Sequence, residues 1–136
     1  MAFVIKAAVR DPQAKTFTFT GQKTMYGGKL IAAGDTVFIF ASENEGGQGL
    51  LARGVVSRAR AIAKKRGVVR QTPCVSVVVD RTALAKGSLG RGELKRFKDW
   101  NDGRPETELN FKFYRQATNK IAGISAGVAA YLEKFF

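Results

Sequence analysis

The sequence contains no histidine and a single cysteine, Cys74, among its 136 residues. Without histidine the chain lacks the commonest general base and the commonest metal ligand. Catalytic groups of the Ser-His-Asp and Cys-His types are therefore excluded within this chain. One cysteine cannot build a disulfide framework or a cysteine-based zinc site. We therefore expect no metal or other cofactor, and Cys74 is expected to pack as a small apolar side chain in a reducing compartment.

Long apolar runs are missing as well. No run approaches the length of a membrane-spanning helix, and the N-terminal Met1–Lys6 lacks the basic and apolar regions of a signal peptide. We expect a cytoplasmic protein without a membrane partner. The composition, 45% hydrophobic and 25% charged, is typical of a globular protein. The length predicts one domain, residues 1–136, with a core of its own.

Acidic residues are absent between Glu45 and Asp80, in a chain whose formal net charge is +12. Like charges on a compact surface repel one another, and a polyanion is the partner that would offset them. The stretch therefore predicts binding to nucleic acid, DNA or RNA, through its phosphates. Besides Arg70, the stretch holds six residues that we predict as phosphate contacts: Arg53, Arg58, Arg60, Lys64, Lys65 and Arg66.

Alternating and continuous apolar patterns predict a domain rich in strands. Helix competes with strand over Ser57–Lys65, where alanine and arginine favour it. In the last third, Ser125 is a predicted N-cap for a helix over Ala126–Phe136. Together these elements predict an α+β or barrel-like small domain. The predicted strands are Phe3–Val9, Thr16–Thr20, Thr36–Ala41, Leu50–Ile62, Pro73–Val79 and Leu109–Phe113, with a short helix over Gly92–Trp100.

Two glycine-punctuated loops separate these strands, Gly21–Gly28 and Ser42–Gly49. The second does not match a phosphate-binding P-loop, because no GK[ST] ending and no helix follow. Exposed aromatic rings near basic residues can stack on bases, and Tyr26 and Trp100 are the rings that packing explains least. A flexible hairpin connection and a core role for the neighbouring aromatics are the structural alternatives.

Three segments in order resemble the EVE and YTH domains. Phe3-Val4-Ile5-Lys6 resembles their opening strand, and Ala33-Gly34-Asp35 followed by Thr36–Ser42 is similar to their Gly-Asp turn and the strand after it. Gly49–Val56 is similar to their glycine-rich return strand. The chain departs from the pattern at Ala7, where serine is usual, and at Ala41-Ser42, which replaces a Tyr-His-Ser type ending.

This resemblance implies a PUA-like fold, a small and partly open β-barrel with short flanking helices. Domains of this kind hold a modified, flipped-out base in a pocket with aromatic and polar walls. Trp100 is expected to supply a further wall. Carried over by position, the pocket residues are Lys6, Ala7, Tyr26, Gly27, Phe40 and Ser42.

The expected function is a non-catalytic nucleic-acid-binding module that reads a modified base. Two alternatives from other classes stay open. One is an enzyme like the ASCH domains of the same superfamily, acting on modified nucleosides or RNA, with Lys23, Thr24 and Glu43 as its candidate residues. The other is a protein-interaction adaptor, in which Phe135 and Phe136 form a homodimer contact.

Overall fold

The computed structural model describes residues 1–68, 71–116 and 118–136 of the chain. Six strands form a closed barrel in the spatial order β1-β3-β4-β5-β2-β6, and short helices cover one side of it. The predicted small α+β barrel with short flanking helices is confirmed, but the barrel is closed rather than partly open, because β6 pairs with both β1 and β2. No helix in the described ranges is long and apolar enough to cross a membrane. The strands are β1 (Ala2–Ala7), β2 (Thr16–Met25), β3 (Thr36–Ala41), β4 (Gly49–Ala61), β5 (Cys74–Leu84) and β6 (Lys120–Gly123).

Helical segments in the second half pack against the outside of the barrel. A π-helical turn at Asn110–Tyr114 continues the second α-helix, and 3₁₀ turns occur at Gly28–Leu30 and Glu43–Glu45. The α-helices are α1 (Arg91–Leu94), α2 (Pro105–Leu109) and α3 (Ala126–Glu133).

The barrel closes through β6, a strand of four residues. It pairs antiparallel with β1, where Lys6 lies opposite Lys120, and parallel with β2, where Thr24 lies opposite Ile121. β1 in turn runs parallel to β3 from Ala2 to Ala7. The carboxyl ends of β1 and β3 therefore lie at the same end of the barrel as the start of β6.

Two apolar cores share the wall of the barrel. Along β1, Phe3 and Ile5 point into the barrel, whereas Val4 points outward beneath the helices. This central strand is buried on both faces, so its sequence is almost continuously apolar. The inner core also contains Phe17, Phe19, Val37, Ile39, Val77 and Val79, and the outer core contains Phe38, Phe40, Leu94, Leu109, Phe113 and Leu132.

Strand β2 is longer than its sequence pattern indicates. The prediction ended this strand at Thr20 and placed a loop over Gly21–Gly28, but the strand continues to Met25. Its register against β5 shifts between Phe19 and Gln22, and Gly21 sits at this bulge with a φ of 59°. The glycine that suggested a loop instead allows the bulge, after which pairing resumes.

The predicted strand over Leu109–Phe113 is wrong, because this segment is helical. Pro105 starts α2 at a position where its missing N–H is not needed. Leu109 and Phe113, four residues apart, are both fully buried, whereas Phe111 between them is only half-buried. Leu109 and Phe113 therefore lie on the buried face of a helix, and the Phe111 ring points outward between them.

Other boundaries differ less from the prediction. β4 runs as a strand to Ala61, so the helical alternative over Ser57–Lys65 is wrong. α1 ends at Leu94, well before Trp100. The short strand β6 was missed, because four residues carry too little pattern to stand out.

Helix α3 forms where the sequence predicts it, although it ends at Glu133. The Ser125 hydroxyl accepts a hydrogen bond from the Val128 N–H at 3.2 Å, which is the predicted N-cap. Phe136 packs on the same chain, with its ring centroid 5.9 Å from that of Phe38. The helix is thus joined to the outer core along its buried face.

We expect Leu132→Ala to lower the free energy of unfolding by about 2–5 kcal/mol, because this side chain is fully buried in the outer core. Urea denaturation measures the change. Leu30→Ala is the matched control: Leu30 is 59% exposed, and its truncation should cost about 0.5 kcal/mol or less. Equal stabilities of the two variants would contradict the packing of α3 against the barrel.

Candidate nucleic-acid interface

Ser42 follows β3 and opens the loop 42–49. Its N–H donates to the carbonyl of Ala7 at 2.9 Å, which holds the residue beside the end of β1. The side chain is 1% exposed, and within the described residues its hydroxyl has no hydrogen-bond partner. A buried hydroxyl left unpaired costs about 1–3 kcal/mol. The Ser42 hydroxyl is therefore a polar group that the fold leaves unpaired and that a ligand could pair with.

A polar pocket of about 350 Å³ adjoins Ser42. One wall comes from the bulge of β2, one from the loop 42–49 and one from the segment before β6. The amide of Asn119 donates to the Glu45 carboxylate at 3.1 Å and joins the last two walls. We call this cavity the Ser42 pocket; its other lining residues are Gly21, Gln22, Lys23, Asn44 and Thr118.

A larger cavity of about 510 Å³ lies on the other side of the loop 42–49, between the start of β4 and the segment after β5. Ser88 and Lys86 contribute to its wall. In the described part of the chain, the buried unpaired side-chain atom belongs to Ser42 and not to this wall. We therefore take the smaller pocket, which Ser42 lines, as the candidate site.

Glu43 fastens the loop 42–49 to the helical side of the barrel. Its two carboxylate oxygens accept from the Tyr114 hydroxyl at 3.1 and 3.0 Å, and one of them accepts from the Arg91 N–H at 2.8 Å. Burial, and then the negative charge of Glu43, raise the pKa of the Tyr114 hydroxyl. The phenol therefore stays protonated and continues to donate.

Two fully buried lysines, Lys6 and Lys120, face each other across β1 and β6 beneath the π-helical turn. The Lys6 ammonium donates to the carbonyl of Phe113 at 2.9 Å. The Lys120 ammonium donates to the carbonyls of Lys112 and Gln116. Both therefore lie at the C-terminal end of the helical segment, where unpaired carbonyls and the helix dipole favour positive charge.

Burial lowers the pKa of both ammonium groups. For Lys120 the pKa falls to about 8, first through desolvation and then through the charge of Lys6. For Lys6 desolvation is again the largest cause, and the carboxylate of Glu43 partly opposes it. The two ammonium groups thus join β1 and β6 to the helical segment, and their burial as charged groups has an electrostatic cost.

The basic stretch forms an exposed face on β4 and the connection that follows it. Arg58 and Arg60 lie side by side on β4, opposite Val78 and Ser76 of β5. Arg53 differs from the others, because it pairs with Glu133 and donates to Thr82. Arg70 lies outside the described residues. Within the described ranges, no ion pair involves the remaining five predicted contacts, which are Arg58, Arg60, Lys64, Lys65 and Arg66.

This basic face is continuous with the Ser42 pocket. The N–H of Gly21, in the pocket wall, donates to the hydroxyl of Ser76 on β5 at 2.8 Å. Ser76 in turn lies opposite Arg60. Farther along, Lys23 pairs with Cys74, whose carbonyl accepts from the Ile62 N–H at 2.9 Å. The basic connection after β4 therefore begins next to the edge of the pocket.

Comparison with known proteins identifies the fold. No known protein family and no curated protein matches the sequence. A Pseudomonas putida protein superposes with a TM-score of 0.67 at 13% identity, over 99% of both chains. The DUF55 domain of human thymocyte nuclear protein 1 superposes with a TM-score of 0.64 at 11% identity, over 98% of this chain and 97% of that one. The chain has the EVE-like fold of the PUA-like class.

Human THYN1 protein, solved in complex with DNA that contains 5-methylcytosine, also superposes on the chain. The TM-score is 0.64 at 14% identity, over 98% of this chain and 95% of that one. At such identities the likeness establishes the fold alone.

The EVE-like barrel brings together only part of the predicted base pocket. Ser42 lines the Ser42 pocket, whereas Lys6, Ala7 and Phe40 are buried and do not line it. Tyr26, Gly27 and Trp100 do not join this group. β2 pairs with Ile121 and Ala122 before it reaches Tyr26, so the ring lies at the opposite end of β6.

The three candidate residues of the enzymatic alternative lie in different surroundings. Lys23 lines the Ser42 pocket. The Thr24 hydroxyl is buried and donates to the carbonyl of Pro73 at 2.7 Å. The Glu43 carboxylate accepts hydrogen bonds from the Tyr114 hydroxyl and the Arg91 N–H. The geometry therefore gives this set no shared reactive centre.

Sequence reasoning missed several pocket residues, Asn44, Thr118 and Asn119 among them. Asn44 and Glu45 belong to the glycine-punctuated loop Ser42–Gly49 that the sequence already marks. Thr118 and Asn119 carried no comparable signal, because they precede a strand that the sequence did not reveal. Tyr114, which fastens the loop through Glu43, directly follows the segment Leu109–Phe113 that was predicted as a strand.

We expect the free energy of unfolding to rise between about pH 8 and pH 10, because the pKa of Lys120 is about 8 in the folded chain against 10.5 ordinarily. In this window the unfolded chain binds more protons on Lys120, so raising the pH favours folding. The lowered pKa of Lys6 acts in the same direction. Urea denaturation across this pH range measures the effect.

Lys120→Met should flatten this rise, whereas Lys95→Met, at an exposed lysine, should preserve it. An equal rise in Lys120→Met and in the unaltered chain would show that Lys120 keeps its ordinary pKa in the folded chain.

Proposed function

We propose that this chain is a non-catalytic nucleic-acid-binding module that holds a single extruded base in the Ser42 pocket. The observation that carries the proposal is the buried Ser42 hydroxyl without a partner beside a polar cavity. A base edge offers both donors and acceptors, and a hydroxyl can serve either. The base would supply the hydrogen bond that the folded chain leaves open.

The size and chemistry of the pocket support this assignment. A volume of about 350 Å³ is at the small end of ligand sites and suits one ring system better than a large cofactor. Lys23, Asn44 and Asn119 line different walls of the pocket. The Asn44 oxygen already accepts from Arg91 and the Asn119 amide donates to Glu45, so their remaining polar atoms would meet the base edge. An extruded base must recover polar contacts that it loses on leaving the duplex, so a polar pocket favours the step.

The basic face supplies the sequence-independent part of the affinity. Arg58 and Arg60 are exposed on β4, and β5 lies between this strand and β2, whose bulge forms a pocket wall. Phosphate contacts of this kind fix the register of the protein on the strand but carry no base information. Base selection would then depend on the pocket, and overall affinity on the basic face.

Human THYN1 protein adds support from outside the chain, because it shares the fold and was solved with DNA containing 5-methylcytosine. DNA that carries a modified base is therefore a ligand of that protein. For the present chain, 5-methylcytosine is therefore the first modified base to test, and the identity of its own base is left to the measurement.

We expect replacement of Arg58 and Arg60 together by alanine to weaken binding to every nucleic acid and to lower the slope of log affinity against log salt by about 1 per lost phosphate contact. Fluorescence anisotropy with a labelled duplex over a salt series measures the slope. The control is a double Lys95→Ala, Lys134→Ala variant, which loses the same charge at exposed residues of the helical side. Equal slopes for the two variants would show that β4 is not the phosphate-binding face.

We expect Ser42→Ala to reduce base discrimination and to leave the fold as stable as before or about 1 kcal/mol more stable, because it removes an unpaired buried hydroxyl. Competition among duplexes with a central cytosine, 5-methylcytosine, 6-methyladenine or abasic site measures discrimination. The preferred base should bind about three- to tenfold more weakly, as the loss of one hydrogen bond implies, and the abasic duplex should be unaffected.

Ser88→Ala is the matched control for this experiment, since Ser88 lines the larger cavity. If Ser88→Ala reduces discrimination and Ser42→Ala does not, the base occupies the larger cavity. If the unaltered chain binds all four duplexes equally, it does not read a base.

A further inference from the structure

Tyr26, Phe111 and Trp100 form a row of aromatic rings on the surface, which we call the aromatic row. The ring centroids are 6.0 Å apart for Tyr26 and Phe111 and 5.5 Å apart for Trp100 and Phe111. Trp100 is 43% exposed and Tyr26 39% exposed. Large aromatic rings that stay together at the surface indicate a contact site for a partner.

The backbone at Tyr26 is strained. Its φ of 53° is left-handed, and within the described ranges no other non-glycine residue has a positive φ. Gly27 follows with a φ of 81°, so asparagine or glycine would suit both positions of the turn better than tyrosine. A tyrosine in this backbone conformation, against that preference, points to a use for its ring.

The π-helical turn places the centre of the row. The Arg115 N–H donates to the carbonyl of Asn110 at 2.8 Å, five residues back. This arrangement brings the Arg115 guanidinium to 4.6 Å from the ring centroid of Phe111. Such turns are rare and occur often at functional sites.

Positive groups border the row. The Arg115 guanidinium lies 6.0 Å from the Trp100 ring, and the Lys112 ammonium lies 5.5 Å from the Tyr26 ring. The nearby carboxylates are already engaged: Glu108 by Lys112 and the Ser125 hydroxyl, Asp102 by Thr107 and Arg104. In the described part of the chain Arg115 forms no ion pair, so its charge is available to a phosphate.

We propose that the aromatic row is a second nucleic-acid contact, at which an unpaired base of a single strand stacks on the rings while Arg115 meets its phosphate. The inference rests on the proposed function. β6, with its four residues, separates the row from the Ser42 pocket by about 13 Å. A strand of about four stacked nucleotides spans such a distance. One single strand can therefore engage both sites.

Trp100 provides a direct probe, because it is the only tryptophan in the sequence. A stacked base should quench its fluorescence. We expect a short single-stranded oligothymidylate to quench the emission as it binds. An abasic strand of the same length should bind through its phosphates and leave the emission unchanged.

Tyr26→Asn tests the row without disturbing the turn, because asparagine tolerates the left-handed conformation well. Its affinity for oligothymidylate should fall about three- to tenfold, in line with the loss of part of a stacking contact. Its affinity for a blunt duplex should not change, since paired bases cannot reach the rings. Val55→Thr, at an exposed β4 position opposite Asp80, is the control and should retain full affinity for both.

Three results would overturn the inference. Constant Trp100 emission at saturation, or equal quenching by the abasic strand, would show that no base stacks on the row. Equal loss of single-strand and duplex affinity in Tyr26→Asn would show that Tyr26 is part of a general surface. In each of these cases binding persists and the proposed function stands, whereas absence of binding by every strand and duplex at low salt would overturn both.

Discussion

The closure of the barrel by β6 is the constraint on which the rest of the structure depends. This strand of four residues pairs with β1 on one side and β2 on the other. The segment before it forms a wall of the Ser42 pocket, and its first residue, Lys120, is buried opposite Lys6. Tyr26 and the aromatic row lie at its other end, where the N–H of the last residue, Gly123, donates to the carbonyl of Tyr26. The two candidate contact sites are thus separated by the length of one short strand.

The helical side of the barrel is fixed by charge as well as by apolar packing. Removing an ammonium group from water is costly, and two such groups close together repel. Lys6 and Lys120 offset part of this cost by donating to carbonyls at the end of the helical segment. Glu43 joins the same region to the loop 42–49 through Tyr114. The loop 42–49, which lines the pocket, is therefore held by hydrogen bonds to the helical side, and such restraint preorganises a surface for contact.

The role proposed for each basic side chain follows from whether a carboxylate of the same chain already neutralises it. Arg53 belongs to the predicted phosphate contacts by sequence, but Glu133 neutralises it. Arg58 and Arg60 lie on the same strand beyond the bulge and face solvent. A charge that is paired inside the protein contributes little to attraction of a polyanion, whereas an exposed one attracts and releases counterions.

The sequence alone determined the class of the protein: a small α+β barrel, of whose strands β1 to β5 were predicted, a basic stretch without acidic residues, and a closing helix with Ser125 as its cap. These features depend on local pattern and composition, which a single chain displays directly. Which residues meet depended on tertiary structure. Leu109–Phe113 alternates like a strand, yet Pro105 and burial on one face make it helical, and the register of β2 against β6 carries Tyr26 away from Ser42. Register and closure arise from contacts between distant segments, so no local pattern contains them.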